Sequence, residues 1–154
     1  MTGRAAVASD EQRLDAIFAR AGTLQYDAEL LSDFAKYLCI LVSGYLEKSL
    51  AELVLEHSRQ VGAPSLQRFV ESKTKRFANA NAERIAQLLG SFDPGWKSSI
   101  ESFLVDEYKA AVDSVVGLRN NIAHGVSVGV TYASMLEYYK RIKAVVEEVA
   151  KLCV

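Results

Sequence analysis

One long stretch of apolar residues at helical spacing constrains the fold more than any other feature of the sequence. From Asp27 onward, apolar side chains recur at steps of three and four residues until Gly62 and Pro64 end the pattern. The residues of this stripe are Leu30, Leu31, Phe34, Leu38, Leu41, Val42, Tyr45, Leu46, Leu50, Leu53 and Val54. A stripe this wide is typical of a helix that has neighbours on several sides. The pattern therefore predicts a long helix at the centre of a bundle.

The remaining segments also favour helices. Ser9 and Gln12 fit a capping box that opens a short helix ending near Gly22. Two more apolar stripes follow the turn signal at 93–95. They comprise Ile100, Phe103, Leu104, Tyr108, Ala111, Val112 and Val115, then Tyr132, Met135, Leu136, Tyr139, Ile142, Val145, Val146, Val149 and Leu152. We predict an all-α, four- to five-helix bundle that is a single domain overall, with residues 1–22 as a short N-terminal helix or arm and 23–154 as the bundle.

Composition limits the class of protein. The chain has 154 residues, of which 50% are hydrophobic, and this is enough for the core of one domain. The longest uncharged apolar stretch, Tyr37 to Leu46, is too short to span a bilayer, and Met1 to Ala8 lacks the apolar block of a secretory signal. Cys39 and Cys153 form neither a disulfide framework nor a metal motif. We expect a reduced cytoplasmic protein with no membrane contact, no metal and no cofactor.

Basic residues concentrate in one part of a nearly neutral chain. The whole chain has a net charge of −1, but the segment from Ser58 to Ala86 holds six basic and two acidic side chains, a local charge of +4. Such a segment can face phosphate groups, although a solvated helix face is the alternative. The candidates for contact with a phosphate backbone are Arg68, Lys73, Lys75 and Arg76.

The two histidines differ in their surroundings. His57 stands among polar residues near the end of the long helix, where we expect an exposed position without a role. His124 follows Arg119 and two asparagines and precedes Gly125. Arg119 and His124 are five residues apart, about 140° around an unbroken helix, so they would not act on one atom if the helix continued through both. Gly125 suits the left-handed position past a helix end, and the asparagines leave helical geometry readily. We therefore expect the helix to loosen inside or just after this motif, so that both side chains converge on one cleft.

The residue types of this motif suit chemistry on a phosphodiester. Arginine offers a fork of donors matched to phosphate oxygens, and imidazole moves protons near neutral pH. No carboxylate-rich metal site accompanies them, which favours metal-free chemistry, and RNA supplies its own nucleophile in the 2′-hydroxyl. Cleavage needs a proton acceptor and a proton donor, whereas the chain offers one suitable histidine, His124. A two-fold dimer would supply the second.

The motif and its flanks resemble the HEPN family. The residues Arg119 to His124 are similar to its signature, an arginine followed by a polar residue and, after a short spacing, a histidine at the end of a bundle helix. The flanks 115–118 and 122–125 are also similar to those of members. The segment Ser43 to Lys48 is similar to the RiboL-PSP-HEPN branch in particular. The resemblance spans roughly residues 27–152.

The resemblance implies a fold, an activity and an assembly. It implies an all-α homodimer with a composite active site and metal-independent endoribonuclease activity. By position, Arg119 and His124 match the catalytic pair and Asn120 matches the polar residue after the arginine. Glu47 lies where some members place an auxiliary acidic residue, and Asn121 is a second auxiliary candidate. The apolar faces of the helices around Val115 and Tyr132 are the expected dimer contact.

The resemblance also implies a biological setting. HEPN members commonly serve as toxins or as antiviral defence effectors, so the implied partners are RNA and an antitoxin or defence-system protein. In one branch, a nucleotidyltransferase antitoxin modifies a tyrosine two residues after the histidine. The corresponding residue here is Val126, and that modification is not expected. The alternative function is a non-catalytic module that binds RNA, nucleotide or a protein partner.

Overall fold

The computed structural model describes residues 3–24 and 27–153, which contain seven α-helices and no strand. The helices are α1 (Gly3–Ala21), α2 (Ala28–Val61), α3 (Pro64–Thr74), α4 (Ala82–Gly90), α5 (Pro94–Phe103), α6 (Asp106–Ala123) and α7 (Tyr132–Leu152). The all-α fold is confirmed. The four long helices α1, α2, α6 and α7 form the bundle, and the three short helices connect α2 to α6. Residues 1, 2 and 154, where the predicted segments 1–22 and 23–154 have their outer limits, lie outside the described residues.

Helix α2 is the central element, as the sequence predicted. Asp27 caps its start, because the Asp27 side chain accepts a hydrogen bond of 3.0 Å from the Leu30 N–H. Gly62 ends it, and Pro64 occupies the first turn of α3. Along its length α2 packs against α1, α3, α6 and α7. Burial against several neighbours explains why its apolar stripe is so wide.

Helix α1 begins earlier than the sequence suggested. The predicted start at Ser9 is wrong, since α1 runs from Gly3 and the proposed capping box lies in its interior. Val7 and Phe18 are both buried, so the apolar stripe of α1 extends to the N-terminal side of Ser9. The Tyr139 hydroxyl of α7 donates a 2.6 Å hydrogen bond to Asp15 and ties α1 into the bundle.

The single helix predicted over 100–115 is two helices. Leu104 and Val105 leave helical geometry, and Asp106 has a φ of +50° at the start of α6. No glycine or proline marks this break, and the apolar spacing continues across it, so periodicity gave no signal. The turn signal at 93–95 also opens a helix, because Asp93 caps α5.

Within residues 3–24 and 27–153, no helix combines the length and apolar character needed to cross a bilayer.

Candidate active site

A left-handed glycine closes α6 at the predicted motif. Gly125 has a φ of +71°, and its N–H donates to the Ile122 carbonyl at 3.1 Å. The Val126 N–H donates to the Asn121 carbonyl at 2.8 Å. These two bonds make a Schellman motif, in which a left-handed residue satisfies the last carbonyls of a helix. The expected helix end at Gly125 is confirmed.

The helix stays regular through both asparagines. It runs to Ala123, and only His124, with φ −94° and ψ 9°, begins to depart from it. The Cβ atoms of Arg119 and His124 therefore project about 140° apart around the axis. The helix therefore loosens at His124 and not at Asn120 or Asn121. The backbone alone does not bring the Arg119 and His124 side chains to one cleft.

Side-chain geometry partly offsets this separation. Arg119 Nη1 donates to Asn120 Oδ1 at 3.4 Å, so the guanidinium leans toward the asparagine. Asn120 and His124 are four residues apart and share one helix face. Arg119 and His124 are exposed and Asn120 is half-buried. The structure thus brings Arg119 and Asn120 together, with His124 one turn further on, at a surface open to a large substrate.

A cleft of about 340 Å³ borders Asn120 on this face. It is lined by Asn81, Glu83, Lys109, Asp113, Val116, Gly117 and Asn120. Asp113 is already engaged, because it accepts a 2.9 Å hydrogen bond from the Ala82 N–H at the start of α4 and lies 3.8 Å from Lys109 Nζ. Its role here is to fix α4 against α6. Asp113 was not predicted from the sequence, although Asp113 and Asn120 are seven residues apart and therefore share one helix face.

Gly117 leaves a bare strip on the same face of α6. It lies seven residues, two helical turns, before His124, and a Cβ atom built on it would meet no atom within 4 Å. A glycine in a helix interior costs about 1 kcal/mol relative to alanine. No contact within the described residues requires a glycine at this position. The site therefore has room for a second backbone to approach α6 closely beside His124.

A buried thiol lies between α2 and the candidate site. Cys39 is fully buried, and its Sγ donates to the Val115 carbonyl at 3.6 Å. Burial raises the pKa of Cys39 to about 11, and the nearby Arg119 guanidinium acts in the opposite direction to a lesser extent. Arg119 lies one helical turn beyond Val115, whose carbonyl this thiol contacts, and the thiol stays protonated at neutral pH.

The two auxiliary residues have other contacts. Glu47 accepts a 3.0 Å hydrogen bond from the Asn79 N–H, at a position where the backbone has a φ of +55°. Glu47 is eight residues beyond Cys39, about 12 Å further along α2, so it is not brought to Arg119. Asn121 is exposed, and its backbone carbonyl takes part in the helix end. Their auxiliary roles stay predictions.

The four basic candidates lie on α3 and the turn after it, all exposed. They are Arg68, Lys73, Lys75 and Arg76. Lys75 Nζ lies 3.9 Å from a Glu71 oxygen, whereas Lys73 lies over an aromatic ring. The segment is a surface separate from the α6 motif.

His57 does not occupy the exposed position that was expected. It is half-buried, and its ring meets the edge of Trp96 at a centroid distance of 4.7 Å. The expectation was wrong because Trp96 of α5 packs against the His57 ring, which local polarity does not reveal. Elsewhere in the described ranges, no group of three His, Cys, Asp or Glu residues is arranged to hold a metal ion.

The fold and the site define an all-α bundle that carries an Arg-Asn and His motif at the C-terminal end of a core helix. A family model described as RiboL-PSP-HEPN matches residues 6–154. The protein belongs to the RiboL-PSP-HEPN family, as the resemblance predicted. The match starts within α1, so this helix is part of the family's domain. A search of curated proteins and a search of solved structures found no match.

Proposed function

We propose that this protein is a metal-independent endoribonuclease that cleaves RNA through its own 2′-hydroxyl. The observation that carries the proposal is the grouping at the end of α6, where Arg119 contacts Asn120 and Asn120 shares a helix face with His124. Membership in a HEPN family supports an RNA-related function for this surface. Arginine and imidazole supply the charge stabilisation and the proton transfer that this reaction needs.

The proposed reaction is an in-line displacement at phosphorus. His124 of one copy accepts the 2′-hydroxyl proton as the 2′-oxygen bonds to phosphorus and the bond to the 5′-oxygen breaks. The departing 5′-oxygen takes a proton from the imidazolium of a second copy or from a water that it orients. The products are a 2′,3′-cyclic phosphate and a 5′-hydroxyl. Arg119 stabilises the charge that grows on the phosphate oxygens, and Asn120 holds one of them in line.

The need for two proton-transfer groups supports a homodimer with a composite site. Within one copy, Arg119 and His124 project about 140° apart, so a second copy is the source of the complementary imidazole. Val115 and Tyr132, expected at the contact, face inward instead, with Val115 fully buried and the Tyr132 hydroxyl bonded to the Phe18 carbonyl. The outer face of α6, with bare Gly117, suits the contact better.

The proposed setting is a toxin or antiviral defence effector. An exposed nuclease site needs control in its own cell, and an antitoxin or another defence-system protein that covers the end of α6 would provide it. Covering the exposed Arg119 and His124 would block access of RNA without any change in the fold.

The alternative function is a non-catalytic module that binds RNA, nucleotide or a protein partner. This alternative applies if no second copy completes the site, because Arg119 and His124 of a single copy project about 140° apart. In that case the same residues would bind phosphate groups but would not transfer protons.

Substitution of the motif tests the proposal. We expect His124→Ala to abolish cleavage of single-stranded RNA and Arg119→Ala to slow it by about 10²–10³. Arg59→Ala, at an exposed arginine in the last turn of α2, is the matched control and should leave cleavage unchanged. A 2′-methoxy group at the cleaved position should make the substrate inert. A wild-type protein that binds RNA but cuts none of the tested sequences would favour the module.

A further inference from the structure

One face of the short helix α3 combines exposed apolar and basic side chains. Leu66, Phe69 and Lys73 follow at steps of three and four residues and share one helix face, and Arg76 lies three residues further on, in the turn after the helix. Phe69 is 60% exposed and Leu66 is 59% exposed. We call these four residues the α3 face. Phe69 therefore exposes a large aromatic ring beside the Lys73 ammonium, and exposed apolar patches commonly mark interaction sites.

A cavity of about 430 Å³ opens beside Phe69, between α3 and the end of α4. It is lined by Phe69, Val70, Lys73, Thr74, Leu88, Ser91 and Phe92. Its volume is within the range of small-molecule pockets, roughly 300–1,000 Å³. The cavity exists because α3 packs on α2 and makes little direct contact with α4. Two phenylalanines in its lining suit a flat aromatic group.

The basic side chains of residues 68–76 lie on two different sides of α3. Lys73 Nζ lies 5.5 Å from the centre of the Phe69 ring. On the other side of the helix, Glu71 lies 3.9 Å from Lys75, with Arg68 as its neighbour in the helix. Among the described residues, no carboxylate pairs with Lys73 or Arg76. Lys73 beside the exposed ring and Arg76 in the turn after α3 are therefore available to an anionic ligand.

We propose that the α3 face binds single-stranded RNA, with an unpaired base stacked on Phe69 at the mouth of the cavity and flanking phosphates held by Lys73 and Arg76. Aromatic rings interleaved with basic side chains are the usual means of binding single strands, because every base has a π-face and every linkage has a charge. The inference rests on the proposed function for the choice of RNA as ligand.

A short stretch of chain links Arg76 to the cleft at the candidate active site. Asn81 lines the cleft beside Asn120 and follows Arg76 by only five positions. A chain of five residues spans at most about 18 Å. An RNA of several nucleotides anchored at Phe69 would thus extend toward the end of α6.

Binding of a non-cleavable strand tests the inference without depending on cleavage. The probe is a single-stranded RNA with 2′-methoxy groups throughout and one fluorescent 2-aminopurine base. Phe69→Leu removes the ring but keeps an apolar side chain, and it should weaken binding by about 5- to 150-fold and abolish the quenching of the base by stacking. Phe69→Trp should retain both affinity and quenching.

A pair of charge-matched variants tests the phosphate contacts. Each double variant removes one positive charge from α3 and one from the turn after it, Lys73→Ala with Arg76→Ala in one and Arg68→Ala with Lys75→Ala in the other. The first should reduce the slope of log affinity against log salt by about 1.4, since each phosphate contact on a single strand contributes about 0.7. The second should leave the slope unchanged.

The outcomes separate this inference from the proposed function. Affinity and quenching unchanged in Phe69→Leu, as expected if the α3 face binds a protein, would overturn it even if the wild type cleaves RNA. Equal losses in the two double variants would also overturn it, because they indicate a diffuse charge effect. Ring-dependent binding by a wild type that cleaves nothing would support it and would refute only the nuclease.

Discussion

At the scale of single residues, Arg119 has two neighbours that define its role. It donates to Asn120 on α6, and its charge acts on the buried thiol of Cys39 on α2. The planar guanidinium is pre-organised for two parallel hydrogen bonds, so it loses less conformational freedom for each bond than a lysine ammonium does. We therefore expect the planar fork of arginine to be required here and not merely a positive charge.

Replacing Arg119 with lysine tests this requirement. Lysine keeps the charge but offers a point donor, so we expect cleavage to fall by about 10- to 100-fold, the equivalent of one lost charge-assisted hydrogen bond. The measurement is kcat/KM on a single-stranded RNA, with Arg59→Lys as the control. Full activity in Arg119→Lys would show that charge alone suffices.

The two buried cysteines should make the stability of the protein depend on pH. Burial raises the pKa of Cys39 and of Cys153 to about 11 each. Because a raised pKa in the folded state stabilises the protonated form, this contribution is complete below about pH 9 and is lost as pH rises toward 11. Each thiol should cost about 1 kcal/mol of stability between pH 7 and 10.

Urea unfolding at pH 7 and at pH 10 measures this loss. A variant with Cys39→Ala and Cys153→Ala should lose about 2–3 kcal/mol less than the wild type over this range. The pKa values of Tyr45 and Tyr139 are also raised by burial, and both proteins should share the further decline above pH 10. An identical pH dependence in the two proteins would show that these thiols are not desolvated.

At the scale of elements, the end of α6 depends on one left-handed residue. Gly125→Ala places a Cβ atom at a φ of +71°, and we expect a destabilisation of about 1–2 kcal/mol in urea unfolding. Gly129→Ala is the matched control in the same loop, because Gly129 has open space and no positive φ. The cost should therefore be confined to Gly125. Cleavage should also fall in Gly125→Ala, since His124 is the preceding residue. Equal stability in the two variants would argue against the Schellman end.

Helix boundaries were predictable from the sequence where a residue carries its own signal. Asp27 caps the start of α2, Gly62 ends α2, and Gly125 ends α6. All three helix boundaries agree with the prediction. The break at Leu104 has no such signal, because no glycine or proline marks it. It lies where the chain passes from α5, which packs on α4, to α6, which packs on α2 and α7.

The candidate site was predictable to a similar extent. The motif from Arg119 to His124 and its place at a helix end followed from residue types and spacing. The bare strip at Gly117 and the exposure of Phe69 depend on which helix faces are left uncovered by neighbours. A periodic pattern identifies an apolar face, but it does not show whether another helix covers that face.

At the scale of the whole molecule, the proposed homodimer uses the outer face of α6. Gly117→Leu adds a side chain where each protomer has open space, so the fold should stay intact. The added side chain should prevent the second protomer from approaching α6. We expect a shift toward the 16.9 kDa monomer in analytical ultracentrifugation and a parallel loss of cleavage. Gly44→Leu on α2 is the control, since Gly44 is also an exposed helical glycine with open space. Dissociation in Gly44→Leu alone would place the contact on α2 instead.

The chemistry of the cleaved ends tests the central claim most directly. A labelled single-stranded RNA is incubated with the wild type in EDTA, and the ends are identified by mass spectrometry, with His124→Ala in parallel. We predict that the wild type cleaves at an undiminished rate in EDTA and produces 2′,3′-cyclic phosphate and 5′-hydroxyl ends. We predict no cleavage by His124→Ala. A requirement for magnesium, 5′-phosphate ends, or cleavage that persists in His124→Ala would contradict it.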